Sequence, residues 1–112
     1  MRDDRARLLD IAEAIEKIEH YSSVDKDRFA RDELVQTWMV YHLQVIGEAA
    51  NQLSDEFRGQ HPEVPWRAMA AMRHALVHAY FRVDLDEVWS AVQDDLPGLK
   101  TRVVELLRSL PD

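Results

Sequence analysis

Apolar residues in this chain return every three or four positions, and no stretch alternates strictly. That period belongs to the α-helix, because a half-buried strand requires a period of two. Leu8, Ile11, Ala12, Ile15 and Ile18 make a first stripe, flanked by Asp10, Glu13, Glu16, Lys17 and Glu19. Tyr21, Ser22 and Ser23 break it, and the charged stretch 25–31 predicts a short helical turn. A long helix is predicted from Asp32 to about Leu53. Its stripe is broad: Leu34, Val35, Trp38, Met39, His42, Val45, Ile46, Ala49 and Ala50. That width predicts burial on two sides, against its own bundle and against a second subunit. Ser54 is placed to cap a short helix through Phe57, ended by Gly59 and Pro62. Val64-Pro65-Trp66 leads into a helix predicted over 66–80. Asp84 caps a last helix, with Glu87 three residues on as a capping box. Leu85, Val88, Trp89, Val92, Leu96, Leu99, Val103, Leu106 and Leu110 form its apolar face. Pro97 and Gly98 must kink or interrupt it. Trp66 and Trp89 are expected core anchors, and Gly47 is expected to permit close helix packing. The predicted fold is all-α, an antiparallel up-down bundle of four to five helices joined by short connections.

The 112 residues form one domain, 1–112, with room for a single core. Hydrophobic residues make up 46% of the chain, which excludes a disordered one. Cysteine is absent, so disulfides, thiolate metal sites and a cysteine nucleophile are excluded. No apolar run approaches the roughly 18 residues of a membrane span, and the N-terminus lacks a signal-peptide core. The expected location is the cytoplasm. A net charge of −7 argues against a nonspecific nucleic-acid binder. It leaves open an RNA-cleaving enzyme with a local cationic site, and it suits a partner with a basic surface.

Residues 72–81, Met-Arg-His-Ala-Leu-Val-His-Ala-Tyr-Phe, concentrate unusual chemistry. Arg73, His74, His78 and Tyr80 fall within eight residues of a predicted helix. The guanidinium stabilises anionic oxygens, and an imidazole moves protons near neutral pH. At about 100° per residue, His74 and His78 share one face while Arg73, Val77 and Tyr80 share another. Arg73 and His78 are offset by roughly 140° on an ideal helix. A straight monomeric helix cannot aim both at one substrate. Either the helix bends or ends near His78, or the site forms between two copies across a dimer axis. The broad apolar stripes favour the two-fold dimer.

Four readings compete for this cluster. Arg73 can be a surface or ion-pairing group and the histidines ordinary packing residues. Histidines at i and i+4 suit zinc, but the His-Glu-x-x-His pattern is absent and no third ligand is evident. The third reading is metal-independent RNA cleavage with no cofactor. One imidazole, assigned to His78, takes the proton of a 2′-hydroxyl that attacks the adjacent phosphate. Arg73 stabilises the charge that develops, and His74 assists by orienting the phosphate. The fourth is a non-catalytic adaptor for a protein or a nucleotide. Glu48, on the long helix, is a supporting candidate that could partner Arg73 or His74, or simply be solvated. The acidic run Asp84, Asp86, Glu87 reads as helix-start chemistry rather than a metal site.

The stretch from Met72 through Trp89 resembles the HepT-like branch of the HEPN superfamily. The resemblance rests on an arginine, a polar residue, spacers, a histidine, one more spacer and a tyrosine: Arg73, His74, His78 and Tyr80. Val45-Ile46-Gly47-Glu48-Ala49-Ala50, Pro65-Trp66 and Val83-Asp84-Leu85-Asp86 through Trp89 are similar to the family too. The polar position after the arginine, often asparagine in the family, is His74 here. The resemblance implies a homodimeric toxin of a toxin–antitoxin module with a composite RNase site at the dimer interface. It implies Arg73 and His78 as catalytic residues. It also implies an MntA-like nucleotidyltransferase antitoxin that transfers AMP from ATP onto Tyr80. Bulk and negative charge beside Arg73 would then block the cleft. The alternative that the family admits is a non-catalytic helical subunit that binds substrate or nucleotide for the nucleotidyltransferase.

Overall fold

The computed structural model describes residues 2–21, 23–70 and 84–110. Helix α1 runs over Arg2–Glu19, α2 over Lys26–Arg31, α3 over Glu33–Gln52 and α4 over Asp55–Gln60. Helix α5 opens at residue 66 and is described to residue 70. Helix α6 spans Leu85–Ser90 and runs through a π-helical turn, Ala91–Asp95, into α7, Leu96–Ser109. No strand occurs among the described residues, so the all-α expectation holds.

Helices α2, α3, α4 and α6 each start where a side chain can satisfy orphan N–H groups. Asp25 accepts from Arg28 N–H, Asp32 from Leu34 and Val35, Ser54 from Phe57, and Asp84 from Asp86 and Glu87. Asp32 ends α2 and caps α3, which makes the junction an elbow without a loop.

Cross-helix hydrogen bonds and one ion pair give the directions. At one end of α1, Asp4 accepts from Ser54 N–H and Oγ, both at 2.8 Å, after the end of α3. At the other end, Trp38 Nε1 donates to the Lys17 carbonyl at 2.7 Å, near the start of α3. The two helices are therefore antiparallel. Arg5 donates to the Leu107 carbonyl, and Lys100 pairs with Glu19 at 2.9 Å, so α7 is antiparallel to α1 as well. The core lies between them. Leu8, Ile11, Ile15 and Ile18 of α1 meet Met39, Leu43 and Ile46 of α3 and Val103 of α7, all buried. Phe29 of α2 packs on Trp89 of α6, ring centres 5.3 Å apart, and Phe57 of α4 packs on Trp66 at 6.0 Å. Each fully buried large side chain contributes about 1.5–3 kcal/mol.

Three expectations change in detail. Leu34, counted in the α3 stripe, is 83% exposed, whereas Leu43 is fully buried. Gly59 does not stop α4 but sits inside it, with an ordinary negative φ. Pro97 does not break the last helix. It lacks the N–H that would bond the residue 93 carbonyl, and the chain widens one turn earlier, with Leu96 N–H bonding the Ala91 carbonyl. Ala91 and Leu96 keep helical dihedrals, so the backbone stays helical from Leu85 to Ser109. No helix among the described residues is long and apolar enough to cross a membrane.

Candidate functional site

Arg73, His74, His78 and Tyr80 lie outside the described residues. The segments that flank them are described. On the N-terminal side, Trp66 is buried and its Nε1 donates to the His61 carbonyl at 2.9 Å. Met69 is buried, and its N–H bonds the Pro65 carbonyl at 3.0 Å. Proline suits this place, because the first positions of a helix need no donor. Arg67 and Ala68 take the exposed side of this turn. On the C-terminal side, Asp84 caps α6, and Val88 below it is buried. The described residues on either side of the motif, Trp66 and Met69 before it and Val88 after it, are thus part of the core.

Glu48 is half-buried on α3, and its Oε1 accepts from Gln52 Nε2 at 2.8 Å. It lines a cleft of about 390 Å³ between α1 and α3, together with Arg7, Asp10, Tyr41 and Gln44. Asp10 is held by Arg7 at 3.5 Å. The expected approach of Glu48 to Arg73 or His74 concerns residues outside those described.

A second, smaller cleft of about 190 Å³ continues along α1 and α3 past Tyr41 and Val45 to His42 and Lys17. His42 is the one buried histidine among the described residues. Its ring makes edge contacts with Trp38 at 4.6 Å and Tyr41 at 4.9 Å, and Tyr21 extends the row against Trp38 at 5.7 Å. Burial lowers the His42 pKa below the ordinary histidine range. Lys17 lowers it further, and Glu13 opposes the shift. His42 is therefore a neutral packing group at pH 7.

Among the described residues no three His, Asp or Glu side chains converge as a metal site requires. Two residues escaped sequence reasoning. Asp4 is buried and tied to Ser54, fifty positions away, a pairing with no local signal. Arg67 is an exposed cation at the entrance to the motif, and its seven-residue spacing to His74 is legible in the sequence.

The fold is a helical bundle whose long α3 lies antiparallel to α1. The HepT-like ribonuclease family matches residues 11–106, and the chain belongs to that family. It is 42% identical to a protein of Thermococcus cleftensis named probable ribonuclease HepT, over 94% of this chain and 96% of that one. It is 35% identical to a protein of Methanocaldococcus jannaschii named as a candidate RNase, over 91% of this chain and 94% of that one. A protein of Caldanaerobacter subterraneus subsp. tengcongensis, also named as a candidate RNase, is 35% identical over 81% of each chain. No solved structure matches the chain at a significant level.

Proposed function

We propose that this chain is a metal-independent endoribonuclease toxin, working as a homodimer with Arg73 and His78 in its cleft. The observation that carries the reading is the family match over residues 11–106, which encloses the whole run Arg73-His74…His78…Tyr80. His78 takes the proton of a ribose 2′-hydroxyl. That oxygen attacks the adjacent phosphorus as the 5′-oxygen leaves with a proton, giving a 2′,3′-cyclic phosphate and a free 5′-hydroxyl. Arg73 stabilises the extra negative charge on the phosphorane. His74 orients the phosphate, and Glu48 supports the cationic side of the site. Leu34 and Tyr41, seven residues apart on one face of α3, are 83% and 60% exposed. They supply apolar surface of the kind that a second copy covers.

The antitoxin in this reading is an MntA-like nucleotidyltransferase. It moves AMP from ATP onto the Tyr80 oxygen and releases pyrophosphate. The added charge competes for Arg73. A chain without cysteine suits a reducing cytoplasm, where such a module acts.

An RNA cleavage assay in EDTA tests the activity. Wild type is expected to cut, and Arg73→Ala and His78→Ala to lose about 10²–10⁴-fold in rate. Equal rates in all three, or loss of wild-type cleavage in EDTA, would overturn the mechanism. An inactive wild type that still binds a nucleotidyltransferase would favour the non-catalytic subunit. Incubation with the neighbour-encoded nucleotidyltransferase and ATP is expected to add whole AMP masses to wild type and none to Tyr80→Phe.

A further inference from the structure

His42 is a buried polar side chain without a polar partner. Only 9% of it is exposed, and its ring meets Trp38 and Tyr41 through edge contacts. It has no hydrogen bond or ion pair among the described residues. A polar group buried that far normally finds a partner within the protein. No fully buried side-chain nitrogen or oxygen among the described residues lacks a partner. The unpaired imidazole nitrogens therefore reach solvent, and they do so in the cleft of about 190 Å³ that His42 lines with Lys17 and Tyr41.

Lys17 is irregular in the same cleft. Glu13 stands four residues before it on α1, the spacing and order at which carboxylate and ammonium pair, yet no ion pair joins them among the described residues. Half-buried, Lys17 bears on His42 instead. Burial lowers the pKa of His42 most, and of the two charges acting on it Lys17 outweighs Glu13. The field at the imidazole is thus that of a cation. Asp10, the other carboxylate lining the cleft, is held by Arg7 at 3.5 Å. Tyr41 adds a hydroxyl that has no hydrogen bond among the described residues. An ammonium only donates, while a neutral imidazole and a phenol donate or accept. The ligand that suits all three is an acceptor, and the local charge makes it an anion. A phosphate group offers oxygens to three donors at once, one more than a carboxylate has. We propose that this cleft between α1 and α3 binds a phosphate group on Lys17, His42 and Tyr41. The group belongs to a small phosphorylated ligand or to the backbone of an RNA strand. The inference does not rest on the ribonuclease reading.

The test is a titration with sodium phosphate at pH 7 and constant ionic strength, followed by the NMR signal of the His42 ring, which is assigned by its loss in His42→Gln. Wild type is expected to show a saturable shift. Lys17→Gln should weaken the apparent Kd about tenfold. Glu13→Gln removes a repelling charge and should tighten it about two- to threefold. Lys26→Gln, outside the cleft, keeps the wild-type value. Bound phosphate should also raise the pKa of His42, because an anion favours the imidazolium; a merely structural Lys17 would not produce that shift. A second titration uses a 2′-O-methyl RNA oligonucleotide, which lacks the attacking hydroxyl. Lys17-dependent shifts with this strand assign the phosphate to RNA, and shifts with sodium phosphate alone assign it to a small ligand. Shifts that stay linear with both probes, or equal affinities of wild type and Lys17→Gln, overturn the inference.

Discussion

His42 and Asp4 are the two polar residues that the described core accepts, and each is accommodated differently. Asp4 exchanges water for two hydrogen bonds from Ser54, whose hydroxyl also caps α4. His42 is wedged among aromatic edges beside Lys17 and is held neutral. That has a consequence with a definite sign. The unfolded histidine takes up its proton near pH 6.5, while the folded one resists protonation to lower pH. The unfolded chain binds more protons in that interval, so stability is full above about pH 6.5 and falls as pH drops through the window. Thermal melts from pH 7.5 downward are expected to show Tm decreasing below about 6.5, with a flatter profile in His42→Gln. Identical pH profiles in the two proteins would refute this origin. Helical spacing alone puts His42 in an apolar stripe, and the structure buries it there. Spacing could not place Asp4, because a carboxylate in a first helical turn reads as an exposed dipole partner until its tertiary neighbour is known.

Capping is the most legible feature at the scale of elements. Asp25, Asp32, Ser54 and Asp84 each start a helix, since capping needs only groups within three residues. The last helix is harder to read. Proline implies an interruption, and the structure answers with a π turn over Ala91–Asp95 that keeps the axis continuous. Packing selects that outcome, because Val92, Leu96, Leu99 and Val103 are all buried and a true break would expose them. Gly98 is a further irregularity at this place. A methyl added there meets nothing within 4 Å, and its φ is not positive. Gly98→Ala is therefore expected to stabilise the fold by about 0.5–1 kcal/mol, seen as a rise of several degrees in Tm. A fall would mean that the position is constrained from outside the monomer.

At the scale of the whole molecule, the proposed function calls for a second copy. Helical spacing puts Arg73 and His78 roughly 140° apart on an ideal helix, and the proposed cleft resolves that conflict by combining two chains. Light scattering is expected to give twice the chain mass at assay concentrations, and dilution below the dimer dissociation constant should abolish cleavage. Full activity in a monomeric sample would refute the composite site. By itself, the sequence determined the helical class, the capped starts and the membership of a ribonuclease family, all carried by neighbours a few residues apart. Only the tertiary structure decided that Leu34 faces solvent while Leu43 is buried, that Asp4 clasps Ser54, and that Pro97 is absorbed without a break. The physical reason is range. Periodicity and caps are interactions over one helical turn, whereas which side of a broad stripe is covered depends on helices brought together from the far ends of the chain.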